Sequence, residues 1–156
     1  MSASLVLQHC PRPDHYDRQV VPLPAGSHHD PWLWAKSVFD VRSSGLAVKA
    51  LLGLRQLLVP LIGVPRTTTS PFTVQEVAEG EALVAASERH LDFWCGVRAL
   101  GDELEVSTAV SLHGWRGRLY WVPVGILHGP ITRAMMRRAV RRTRERGLAG
   151  GARIRA

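Results

Sequence analysis

From Glu81 to Arg144 the chain strings three strand-like runs directly onto one long, basic, amphipathic helix, and that order leaves few folds open. The runs are Glu81–Leu100, Glu103–His113 and Arg118–Leu127, and the helix is expected to open at Pro130. An antiparallel meander that ends by laying a helix across itself buries one sheet face under that helix, an α+β layout. Turn residues mark the corners, Gly101-Asp102 after the first run and Gly114 to Gly117 after the second. Along Leu91, Phe93, Cys95 and Val97 one strand face is apolar, while His90, Asp92 and Trp94 fall on the other. In Arg118–Leu127 both faces are apolar, with Leu119 and Trp121 on one and Tyr120, Val122 and Val124 on the other. A strand wet on neither face is central or lines a cavity.

The last helix can be checked by angle, at about 100° per residue. Ile131, Met135, Met136, Ala139 and Val140 fall in one half of the wheel, and Arg133, Arg137, Arg138, Arg141 and Arg144 in the other. The apolar half needs a partner, and the sheet supplies it. Gly147, Gly150 and Gly151 are expected to end the order, leaving 147–156 as a disordered basic tail. Upstream, Pro11, Pro13, Pro22 and Pro24 break up the first 25 residues, so 1–13 reads as a flexible segment before one domain over 14–146. Arg18–Leu23 is a short strand whose prolines suit a sheet edge. Asp30 is a good N-cap and Pro31 fits the first helical position, which predicts a helix from Pro31 to about Val41. Ser43 to Gly45 breaks it, a broadly apolar second helix spans Leu46–Val59, and Phe72–Val77 alternates as a strand.

At 156 residues the chain is long enough to bury one real core. It begins with no basic leader and apolar run, so no secretory signal is expected. The most apolar stretch, Leu46 to Val64, carries Lys49, Arg55, Gln56 and Pro60, which a membrane span would tolerate poorly. Cys10 and Cys95 are too few and too far apart for a disulfide framework or a zinc site, so a reduced cytoplasm is the default location. The net charge of +7 is uneven: from Ile131 onward there are nine Arg and one Glu, while the rest holds eleven cations and twelve anions. A near-neutral body with a cationic end can attract nucleic acid or anionic lipid, or simply present a solvated helix face.

Several residue groups together resemble a bacterial family. Asp30-Pro31 is followed by Trp34-Ala35 and Val38-Phe39, then by a Leu-rich stretch with Leu54-Arg55. Phe72, His90-Leu91-Asp92-Phe93, Thr108-Ala109-Val110 with His113, Gly117-Arg118-Leu119-Tyr120, and the pair His128 and Arg133 complete the pattern. The chain resembles the family known as domain of unknown function 2867 over about Asp14 to Arg142. That family is similar at fold level to the polyketide cyclase and lipid-transfer superfamily with a helix-grip, or START-like, fold. Where the family tends to have Pro-Phe-His before the last helix, this chain has Ile126-Leu127-His128 and keeps the His. The resemblance implies a curved antiparallel sheet wrapped on a long C-terminal helix, with a ligand-sized cavity between them, and implies no reaction.

Candidate chemistry is thin. His90 and Asp92, two apart on a strand, share a face and form a possible carboxylate–imidazole pair in which Asp92 fixes the tautomer of His90. Their alternative is plain solvent exposure. His113 and His128 end successive strands and, with His90, raise a three-His metal site, but ligands from separate strands leave no diagnostic spacing. No metal is expected on that spacing, and no cofactor, there being no Gly-rich phosphate loop between strand and helix. A Gly-x-Ser-x-Gly elbow is missing, and Cys95 on an apolar strand face reads as inert packing. Glu79/Glu81 and Glu103/Glu105 flank turns and read as solvated ends, and His28-His29 as surface beside the helix entry. Five Trp against three Phe suggest either a packed core or an aromatic pocket, from Trp32, Trp34, Trp94, Trp115, Tyr120 and Trp121.

The expected function is binding of a small apolar molecule between the last helix and the sheet, walled by Phe93, Tyr120, Trp121, Ile131, Met135 and Met136. The alternative is an interaction module docking on nucleic acid or anionic membrane through Arg133, Arg137, Arg138, Arg141 and Arg144. A further alternative is a cyclase- or hydrolase-like enzyme using His90 and Asp92.

Overall fold

A computed structural model describes residues 4–40 and 73–153, with side chains to Glu145. The second helix expected over Leu46–Val59, and Phe72 at the start of the following strand, lie outside the described residues. A short helix α1 (Leu5–His9) precedes strand β1 (His15–Pro22) and helix α2 (Pro31–Val38). Strands β2 (Val74–Ala78), β3 (Glu81–Ser87), β4 (Leu91–Leu100) and β5 (Glu103–Leu112) follow, then the long helix α3 (Gly114–Arg153). Among the described residues the five strands form one antiparallel sheet in the order β1-β5-β4-β3-β2, so the α+β expectation holds.

Local chemistry accounts for several of these elements. Asp30 accepts hydrogen bonds from the backbone N–H of Trp32 and Leu33 at 2.9 and 3.2 Å, capping α2, and Pro31 occupies a position whose N–H would be orphaned anyway. The helix stops at Val38, three residues before the expected end. Pro22 closes β1, which is an edge strand, where a missing N–H costs no ladder bond. Gly101 and Asp102 turn β4 into β5, with Gly101 at φ +57°. The expected single run Glu81–Leu100 is two strands, because Glu88 to His90 bend the chain and Glu88 N–H donates to Leu91 C=O.

The sheet buries both faces. Cross-strand register puts Val21, Leu104, Val106, Ala99, Val97 and Ala82 on an inner face, where they pack with Trp34 and Val38 of α2 and with Met136 and Ala139 of α3. The outer face carries Leu83 and Ala109, covered by Leu5, Val6 and Cys10. The segment expected to be flexible thus holds a helix that packs on the sheet. Its anchor is Glu81, which is buried and accepts from Ser4 Oγ, from the N–H of Leu5 and from Arg98 Nη2 at 2.7, 3.0 and 2.9 Å. Glu105 is buried as well and takes Arg18 and Arg98. Reading these carboxylates as solvated ends is therefore incorrect: alternating charges on four neighbouring strands satisfy one another across the outer face.

The largest correction concerns Arg118–Leu127, expected as a strand before a helix opening at Pro130. It is helical, and α3 begins at Gly114, directly after β5. The buried positions Tyr120, Val124 and Ile131 stand four and seven residues apart, a helical spacing. Leu119, Val122 and Ile126 are exposed apolar residues on the other side and make the run look two-faced. Pro123 and Pro130 lie inside the helix, where each lacks the N–H that would bond the carbonyl four residues back. Gly114 to Gly117 is consequently the first turn of α3 rather than a hairpin corner. Gly117 is required there, since a Cβ would stand 2.1 Å from the carbonyl oxygen of His90. That close approach pins the start of α3 over the bend before β4. Its backbone is helical to Arg153, past the three glycines expected to end it.

Candidate functional site

Pinning α3 at one end and packing Met136 and Ala139 at the other leaves a cavity of about 160 Å³ between helix and sheet. Its floor is the inner face of β4 and β5, with Phe93, Cys95, Val106, Thr108 and Val110. Tyr120, Trp121, Val124, Ile131 and Met135 of α3 form its roof. The polar groups reaching it are few: Glu88, His90, Thr108, His128 and Thr132. Of the six wall candidates, Phe93, Tyr120, Trp121, Ile131 and Met135 line this cavity, and Met136 instead fills the core beside α2. Helical geometry separates the two methionines, because neighbours on a helix point about 100° apart.

His90 is buried, lines the cavity and sets its ring edge-on to Tyr120 at 4.7 Å. The expected pairing of His90 with Asp92 on one strand face fails, because His90 lies in the bend before β4, where alternation has not begun. Asp92 faces outward, taking Ser87 Oγ on one oxygen and His113 Nε2 at 2.9 Å on the other. The carboxylate that stands 3.6 Å from His90 Nδ1 is Glu88. In the Ser87–Asp92–His113 chain the carboxylate sits in the middle, so the imidazole is not placed to take a proton from the serine. Nor do His113 and His128 end successive strands: His113 follows β5 and His128 lies within α3. The three-His grouping is not formed.

His128 keeps different company. His15 and Asp17, two apart on β1, point to the inner face, and a donor atom from each lies within 4.8 Å of the others and of His128. Trp121 borders this cluster, its ring 4.9 Å from that of His15 and 5.7 Å from that of His128. Burial lowers the affinity of His15 for a proton, and the nearby His128 adds to this. For Asp17 burial acts upward, but contacts with His128 and the Gln19 amide outweigh it and hold the carboxyl below its ordinary range. Sequence reading missed His15 and Asp17. The available signal was two ligand-type side chains at strand spacing on a face that should be apolar.

The remaining candidates sort by burial. Cys95 is buried 3.3 Å from Thr108 Oγ1, and burial pushes its thiol up to about 12, so it is no nucleophile at neutral pH. Cys10 is also raised by burial. Trp34 is fully buried, donating to the carbonyl of His28 at 2.8 Å and stacking on that ring, whereas Trp32 and Trp115 are exposed and Trp94 packs on the outer face. Among the cationic candidates Arg133, Arg137, Arg141 and Arg144 are exposed and Arg138 is half-buried. Among the described residues no helix is long and apolar enough to cross a membrane.

A predominantly apolar chamber with a few polar groups at its margins is suited to holding a small molecule. Neither a curated protein nor a solved structure matches the chain. A family model does, over residues 9–135, which includes the cavity floor and its roof. With that match covering most of its length, the chain belongs to the family described as protein of unknown function DUF2867.

Proposed function

We propose that this protein binds a small, mostly apolar molecule between α3 and the inner face of the sheet. The observation that carries this reading is the apolar cavity of about 160 Å³, bounded by Phe93, Val110, Tyr120, Val124 and Met135. An apolar cavity of about 150 Å³ is enough to take a benzene-sized molecule. His90, Thr108 and Thr132 offer hydrogen bonds to a polar end of such a ligand, and unbranched Met135 lets the wall adjust to its shape. Thermal melting in the presence of single-ring and two-ring aromatic probes tests the proposal. A probe held at one hundred times its Kd stabilises the fold by about 2.7 kcal/mol, a shift of several degrees. No movement of the melt with any probe would overturn it.

A second reading follows from the exposure of Arg133, Arg137, Arg141 and Arg144, spaced to run along one side of α3. We propose this stripe as an electrostatic docking face for a polyanion such as nucleic acid or anionic membrane. The two readings use opposite sides of the same helix and are compatible.

A further inference from the structure

We propose that His15, Asp17 and His128 form a binding site for a divalent transition metal ion at the rim of the cavity. Three features point there. The first is the donor set, two imidazoles and one carboxylate, which suits zinc, iron(II), cobalt or nickel better than magnesium or calcium. The second is spacing. Bonds of about 2.0–2.2 Å to one ion place donor atoms roughly 3–3.5 Å apart. Asp17 Oδ2 and His128 Nδ1 stand 3.7 Å apart, too far for a hydrogen bond between them, and all three donors lie within 4.8 Å. Side-chain shifts of about 1 Å bring the set to coordinating distance.

The third feature is the state of the donors and what holds them. Asp17 Oδ1 and His128 Nδ1 are buried without a hydrogen-bond partner among the described residues, a costly arrangement that an ion would relieve. Asp17 Oδ2 accepts a hydrogen bond from Gln19 Nε2 at 2.8 Å, and Gln19 in turn accepts from Arg133 Nε at 3.1 Å. Outer contacts of this kind orient metal ligands. Gly129 makes room for them, since a Cβ there would stand 3.1 Å from Gln19 Nε2 and 3.5 Å from Asp17 Oδ2. Three protein donors leave a coordination position open. His128 also lines the cavity, so an ion at this rim can take an oxygen or nitrogen atom of a bound molecule.

The inference stands apart from the apolar-ligand reading, because the metal alone is the probe. Titration of the metal-free protein with cobalt(II), followed by visible absorption, and with zinc(II), followed by calorimetry, tests it. The expected result is one equivalent bound, with cobalt bands of a four- or five-coordinate site. Affinity should fall at least tenfold in Asp17→Asn and in His128→Gln, and stay unchanged in His113→Ala. If either inner variant fails to fold, His15→Gln, whose side chain is half-buried, supplies the same comparison. No stoichiometric binding, six-coordinate cobalt bands, or binding that survives the changes at His15, Asp17 and His128 would overturn it.

Discussion

Replacing Val110 by Phe separates a real cavity from a filled core by the sign of its effect. Val110 is buried, lines the cavity floor, and lies opposite Phe93 in the neighbouring strand. Phenylalanine adds four carbons at that point. At about 0.8 kcal/mol for each buried methylene-sized group, full burial would contribute up to about 3 kcal/mol. Adjusting Tyr120 and Val124, which pack with Val110, offsets part of this, as inserting atoms into a packed site typically costs about 1–3 kcal/mol. With about 160 Å³ available, the net expected change is a gain of about 1 kcal/mol. Urea denaturation with an unchanged slope would show it as a higher midpoint, and thermal melting as a rise of about 2–4 °C. The same ring should block aromatic probes. A loss of more than about 1 kcal/mol would mean that the space is already occupied. A stabilised variant that still binds probes would place the ligand elsewhere.

Other consequences follow from the buried charges, the thiol and the basic helix face. Glu81→Ala should cost about 2–4 kcal/mol in urea denaturation, because among the described residues it leaves Arg98 with only the weaker 3.7 Å contact to Glu105 and frees the N–H of Leu5. A cost under 1 kcal/mol would mean that the outer-face network is not holding α1. Cys95 should resist disulfide-exchange reagents in native protein at pH 8 and react on unfolding. Its raised folded value means that the protonated thiol is favoured in the fold. That contribution is present below pH 9 and is lost as pH rises toward about 12, by up to about 1.4 kcal/mol per pH unit. Cys95→Ala should flatten that alkaline slope, and an unchanged slope would refute the assignment. Changing Arg137, Arg141 and Arg144 together to Gln should sharply reduce retention on heparin at low salt and flatten its salt dependence, while leaving probe binding intact.

What could be read without coordinates depended on how local the cause was. Asp30-Pro31 specified the start of α2 because capping is settled within four residues. Gly101-Asp102 marked the β4–β5 corner, and Pro22 identified an edge strand, for equally local reasons. The first half of α3 was not legible as a helix. Its exposed Leu119, Val122 and Ile126 blur the periodicity carried by Tyr120, Val124 and Ile131, and its two prolines resemble boundaries. The roof residues Tyr120 and Trp121 are nevertheless legible as pocket candidates, since large aromatic side chains are worth burying in either conformation. Long-range pairings stayed hidden. Nothing near Glu81 announces Ser4 and Arg98, and nothing near His128 announces His15 and Asp17, more than a hundred residues away.

Adjacent Met135 and Met136 give the most direct test of ligand binding, because one lines the cavity and the other is sealed in the core. Protein labelled at the methionine methyl groups can be titrated with a small aromatic probe and followed by carbon-edited NMR. A ligand seated there should produce a saturable shift of the Met135 methyl signal, with that of Met136 moving far less. No saturable shift at Met135, or equal shifts of both methyls, would contradict a ligand seated between α3 and the sheet.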